Sequence, residues 1–160
     1  MKKVIFVGQA MPRIKRHPHD WPTLNAWLYP LGITDRNIKS NFLYTALVNY
    51  FPGAKNGSHL APTEKEILKE RKRLGRTIKK FNPNVVVTIG KLSVSYCLPN
   101  ENGLLKDFIG KIYEADPYDL FGKKIKIIPF PHPSGASTWR HKPGNKKLLK
   151  KALALLKANI

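Results

Sequence analysis

Val85-Val86-Val87-Thr88-Ile89-Gly90 is the stretch that decides the fold. It is apolar on both faces over five residues and is ended by glycine. A strand with one face in water alternates polar and apolar residues, whereas a continuous branched run suits an inner strand of a parallel sheet, covered on both sides. Its flanks agree. Upstream, Pro62 and Thr63 open a long helix whose capping box pairs Thr63 with Glu66. Ile67, Leu74, Ile78 and Phe81 hold one apolar face along that helix, and Asn82-Pro83-Asn84 stops it. Downstream, a short helix is expected from about Leu92 to Leu98.

The same pattern spreads outward to both ends. Val4-Ile5-Phe6-Val7-Gly8 reads as another buried strand, and Asn41 to Val48 as a second. A short helix from Leu24 to about Tyr29, capped by Thr23 and closed by Gly32, lies between them. Residues 103–121 read as irregular, with room for a small strand near Ile112. Lys124 to Phe130 is the last core strand. Pro143-Gly144-Asn145 opens a final helix that turns Leu148, Leu149, Ala152, Leu153, Leu155 and Leu156 inward. Strands alternating with helices predict a three-layer α/β/α sandwich around a central, mainly parallel four-stranded sheet, in one domain over residues 1–160. Ligands of such sheets bind beyond the carboxyl ends of the strands. The loops after Gly8, Val48 and Phe130 should therefore share one crevice.

The loop after Phe130 carries the chemistry. Pro131 and Pro133 hold the backbone extended and withdraw two amide donors on either side of His132. Ser134-Gly135-Ala136-Ser137 then offers a tight turn with hydroxyls and free N–H groups. An imidazole and small donors on a rigid loop at a strand end suit the stabilisation of an anion. The charge is consistent with anionic partners: 29 Lys+Arg against 10 Asp+Glu give +19 at pH 7. A field of that size on so small a domain points to nucleic acid. With 42% hydrophobic residues the chain builds a real core, so a disordered basic tail is excluded as the source of the charge. The run after Met1-Lys2-Lys3 is too short for a signal peptide, and no segment approaches membrane-spanning length. An intracellular, cytoplasmic monomer, associated with the nucleoid if prokaryotic, is expected.

His132-Pro133-Ser134-Gly135-Ala136-Ser137 resembles the second signature of the uracil-DNA glycosylase superfamily, and Gly8-Gln9-Ala10-Met11-Pro12 is similar to its first. The resemblance extends over most of the chain in family order, through Phe51-Pro52, the Pro62-Thr63 helix start and the Val85–Gly90 strand. It implies a monofunctional DNA glycosylase that rotates a deaminated base, chiefly uracil, out of single- or double-stranded damaged DNA and hydrolyses its N-glycosidic bond in base excision repair. It implies that His132 supports the leaving base and that Gln9 orients the water, where many relatives carry Asp, Glu or Asn. Asp20 is the alternative carboxylate. Trp21 is expected to stack on the base beside Ala10. The strand position that usually reads the base edge falls on Thr45 or Ala46, with Asn49 as a substitute a few residues on.

Ser134, Gly135 and Ser137 are expected at DNA phosphates, with Arg13, Lys15 and Arg16 at the flanks. Many relatives insert a leucine into the duplex where Ala136 stands. Trp139 or Arg140 can fill that gap, or Trp139 can anchor the last helix to the core. No metal and no cofactor are expected: His17-Pro18-His19 lacks a clear third ligand, and Cys97 alone cannot build the four-cysteine iron–sulfur site of the thermostable branch. The alternative to an enzyme is a catalytically weak or inactive nucleic-acid-binding protein that retains the glycosylase fold.

Overall fold

The structure is a computed structural model, and it describes residues 1–134 and 137–160. The first strand, β1 (Val4–Ala10), is followed by α1 (Pro22–Leu28), α2 (Asp35–Asn41) and β2 (Phe42–Val48). A small hairpin, β3 (Ala54–Lys55) and β4 (Ser58–His59), precedes the long helix α3 (Glu64–Phe81). Then come β5 (Val85–Ile89), α4 (Gly90–Cys97), α5 (Leu105–Phe108), β6 (Tyr113–Ala115), β7 (Ile125–Phe130) and α6 (Asn145–Lys157).

The main sheet runs β2-β1-β5-β7-β6. The four long strands are parallel, and β6 joins antiparallel to β7 through Tyr113↔Ile127 and Ala115↔Ile125. The sandwich class holds, but the sheet has five strands where four were expected. The fifth is the small strand expected near Ile112, found at Tyr113–Ala115; at three residues it is too short for its pattern to say that it joins the central sheet. β6 stops at the level of Ile127, so the outer side of β7 is unpaired beyond it. Pro129, which has no amide hydrogen, is tolerated in that part of the strand.

Two apolar layers cover the sheet. Val4, Phe6, Tyr44, Ala46, Val87 and Ile128 pack with Leu24, Leu28, Ile38, Ala152 and Leu156, placing α1, α2 and α6 on one face. Ile5, Val7, Leu47, Val86 and Ile127 pack with Ile67, Leu74, Ile78, Val94 and Phe108, placing α3, α4 and α5 on the other. The capping box at α3 forms as expected: the Glu66 amide donates to Thr63 Oγ1 at 3.2 Å, and the Thr63 amide donates to Glu66 Oε2 at 2.7 Å.

Helix α1 begins two residues earlier than expected, at Pro22 instead of Leu24. Trp21 occupies the N-cap and Pro22 the first helical position, so Pro22 rather than Thr23 sets the start. Helix α2 was not expected at all. Its start is marked by a second capping box, Thr34 with Asn37, and it buries only Ile38. Gly8 is held to glycine by tertiary packing, because a Cβ there would collide with the Tyr44 hydroxyl crossing over it.

Candidate active site

A cavity of about 600 Å³ opens at the carboxyl end of the sheet. Its walls come from three places: Gln9 to Lys15 after β1, with Trp21; Phe51 and Pro52 after β2, with the hairpin residues Gly57 to Leu60; and His132 with Ser134 after β7. The sheet thus delivers the three loops to one crevice, at the switch point where β1 lies between strands wound to opposite sides.

His132 is mostly buried. Its Nδ1 accepts the Ser134 amide hydrogen at 3.1 Å. A ring nitrogen that accepts carries no proton, so the neutral ring holds its hydrogen on Nε2 and offers it as a donor. Burial, with smaller contributions from Lys15 and then His59, pushes its pKa down to about 4. The imidazole is therefore neutral at physiological pH. Its ring meets Trp21 edge-on at 5.3 Å between centroids.

Trp21 is 4% exposed, and Lys15 Nζ lies 4.3 Å from its ring centroid. Tyr44 backs the indole from the core side at 5.6 Å. Among the described residues, Trp21 Nε1 and Tyr44 Oη are buried polar atoms with no hydrogen-bond partner. On the opposite wall, Arg13 lies 5.3 Å over Phe51, and the Phe51 ring meets His59 edge-on at 5.1 Å. The cavity is thus aromatic and apolar in its walls and cationic at its rim.

Of the residues expected from sequence, His132, Gln9, Ala10, Trp21, Arg13 and Ser134 line this one cavity. Thr45 and Asn49 are not brought to it. The Thr45 hydroxyl accepts from Arg73 Nη1 at 2.9 Å on the α3 face of the sheet. Asn49 is exposed, and its amide donates to Glu70 Oε2 at 3.1 Å. Asp20 is engaged elsewhere too. Its Oδ2 accepts the amides of Arg16 at 2.8 Å and His17 at 2.9 Å, which hold the carboxyl below its usual pKa.

Ser137, Trp139 and Arg140 are not among the residues that line the cavity. The Ser137 amide donates to the Ser134 carbonyl at 3.2 Å, and Arg140 Nη1 donates to the same carbonyl at 3.3 Å. Trp139 packs against the core beside α6, and its carbonyl accepts from Asn145 Nδ2 at 2.7 Å. Of its two expected roles, that packing is the anchor's. Gly135, expected at phosphate, and Ala136 lie outside the described residues. Lys15, expected at the flank, is part of the wall, whereas sequence reasoning missed Phe51 and His59 as cavity walls. One signal for the last was present: Asn56-Gly57 is a strong two-residue hairpin turn, and both residues take positive φ, 52° and 76°.

The chain is similar to known proteins. The family model described as uracil DNA glycosylase superfamily matches residues 1–157. A protein of Saccharolobus solfataricus named type-4 uracil-DNA glycosylase is 33% identical over 76 residues, which make up 47% of this chain and 35% of that protein. The matched stretch is thus about a third of the relative's length.

Proposed function

Because the chain belongs to the uracil-DNA glycosylase superfamily, we propose that it is a monofunctional DNA glycosylase. It extrudes a deaminated base, most readily uracil, and hydrolyses the bond between base and sugar. The observation that carries this reading is the neutral His132, with its donor on Nε2, in the same cavity as Gln9 and Trp21.

The chemistry runs from those side chains. As the glycosidic bond lengthens, its electron pair goes to the base and the sugar becomes cationic. His132 donates Nε2–H toward the base oxygen where that negative charge collects; a preorganised donor of this kind lowers the barrier by about 3–4 kcal/mol. No proton need leave the imidazole, so a low pKa is compatible with the task. Lys15, close enough to depress the pKa of His132, adds positive charge beside the departing anion. Trp21 supplies the aromatic wall against which a base rests. Gln9 holds a water through its side-chain amide. The water adds to the sugar carbon and loses its proton to solvent, leaving free base and an abasic site. The walls carry no side-chain amide at the positions expected to read the base edge, so the reading supports a glycosylase more firmly than it supports uracil alone.

The test is incubation with oligonucleotides carrying uracil, hypoxanthine or xanthine, followed by alkali. Breaks at the uracil position are expected, with His132→Ala slowing them by roughly 10²–10³-fold. Absence of breaks on all three substrates, or an undiminished rate in the variant, overturns the assignment. The neutral Gln9, which cannot act as a base, favours the second reading of a non-catalytic nucleic-acid binder. That reading predicts equal affinity for intact and uracil-containing duplexes.

A further inference from the structure

Ile14 is 87% exposed, the most exposed of the large apolar side chains among the described residues. Single exposed apolar residues are ordinary. This one is set apart by where it sits and by how it is held. It lies on the rim of the cavity that contains His132 and Trp21. The loop that carries it is pinned from behind by Arg16. Its guanidinium donates to the carbonyls of Pro12, Arg13 at 3.1 Å and Lys15 at 3.2 Å, one residue before Ile14 and one after it included. Asp20 fixes the base of the same loop by accepting the Arg16 and His17 amides. An exposed apolar tip is thus built onto a backbone held by five hydrogen bonds to side chains.

The neighbours of Ile14 name the kind of surface it faces. Arg13 and Lys15 flank it and lie over aromatic rings at opposite walls of the cavity. Cations on both sides of an apolar point match a stack of base pairs bordered by phosphates. A β-branched side chain is stiff at χ1, so it loses little freedom on insertion. Proteins that open a duplex use Ile, Leu, Phe, Met or Pro in this way, unstacking one step and holding the gap open.

We propose that Ile14 is the side chain this protein inserts into the base stack while a nucleotide occupies the cavity. Arg16 is a positioning residue for it, since three of its five guanidinium donors are spent on backbone carbonyls of the loop. The inference rests on the glycosylase reading for its substrate, and the experiment separates the two.

Two duplexes are used, each with 2-aminopurine beside the lesion: one holds uracil opposite guanine, the other a stable abasic analogue. Wild type is expected to raise the 2-aminopurine fluorescence on mixing with either. Ile14→Ala is expected to abolish that rise and to lower the ratio of double- to single-strand cleavage by about tenfold, whereas Ile14→Leu keeps both. Arg16→Met should reduce the rise while leaving Ile14 in place. A fluorescence rise retained by Ile14→Ala, or an unchanged cleavage ratio, overturns the wedge. If wild type cleaves no uracil in either strand context, the glycosylase reading falls and the abasic duplex alone decides the wedge. No rise with wild type on that duplex removes it.

Discussion

At the scale of single residues, the site depends on a proton that His132 does not take up. The ring is neutral when folded, with its pKa pushed down from 6.5 to about 4. In the unfolded chain it titrates near its ordinary value. As pH falls from about 6.5 to about 4, the unfolded chain therefore gains a proton that the folded protein refuses, and stability declines by up to about 3 kcal/mol. Above that window the contribution is complete. His132→Gln should remove this part of the pH dependence, read as a smaller difference between urea midpoints at about pH 4.5 and about pH 7. An identical pH loss in the variant would show that another group is responsible. His132 was legible from sequence because two flanking prolines fix its backbone whatever surrounds it. The base-reading position was not. Thr45 and Ala46 are neighbours on β2 and point to opposite faces, so a one-residue ambiguity moves the candidate from the α3 side to the α1 side.

At the scale of elements, the join between β2 and α3 is a guanidinium. Arg73 donates to Thr45 Oγ1, to the carbonyls of Ala46 at 2.6 Å and Leu47 at 3.2 Å, and to Glu70 Oε2 at 3.0 Å. Glu70 in turn accepts the Asn49 amide, so one ion pair secures the strand end from which Phe51 and the hairpin depart. Arg73→Met leaves two carbonyls and a hydroxyl without that donor and should cost about 2 kcal/mol in urea unfolding. Arg73→Lys should recover little, since one ammonium cannot span four acceptors set out for a planar fork. A loss below about 0.5 kcal/mol in Arg73→Met would mean that packing alone holds the join. The long elements were legible because periodicity and capping agree over many residues. The two-residue strands of the hairpin and the single buried anchor of α2 give periodicity too little to act on.

For the whole molecule, the net charge of +19 governs encounter more than recognition. Binding to undamaged duplex should weaken steeply with salt, with a slope of about −6 or steeper in log affinity against log concentration, as counterions return to the phosphates. A slope shallower than about −2 would mean that the lysines of α3 and α6 face solvent without meeting DNA. The family match over residues 1–157 spans every strand of the sheet and every residue that lines the cavity.

The missing amide hydrogen of Pro129 has a consequence for association between molecules. With β6 reaching only the level of Ile127, the buried upper half of β7, Ile128 to Phe130, has no paired neighbour on its outer side among the described residues, and an unpaired strand border is the sort of place where another chain adds itself and growth into fibres begins. Proline there cannot complete a run of main-chain bonds with a newcomer, and Pro131 follows two residues later. The pyrrolidine of Pro129 therefore helps guard an apolar parallel sheet against polymerising through that side.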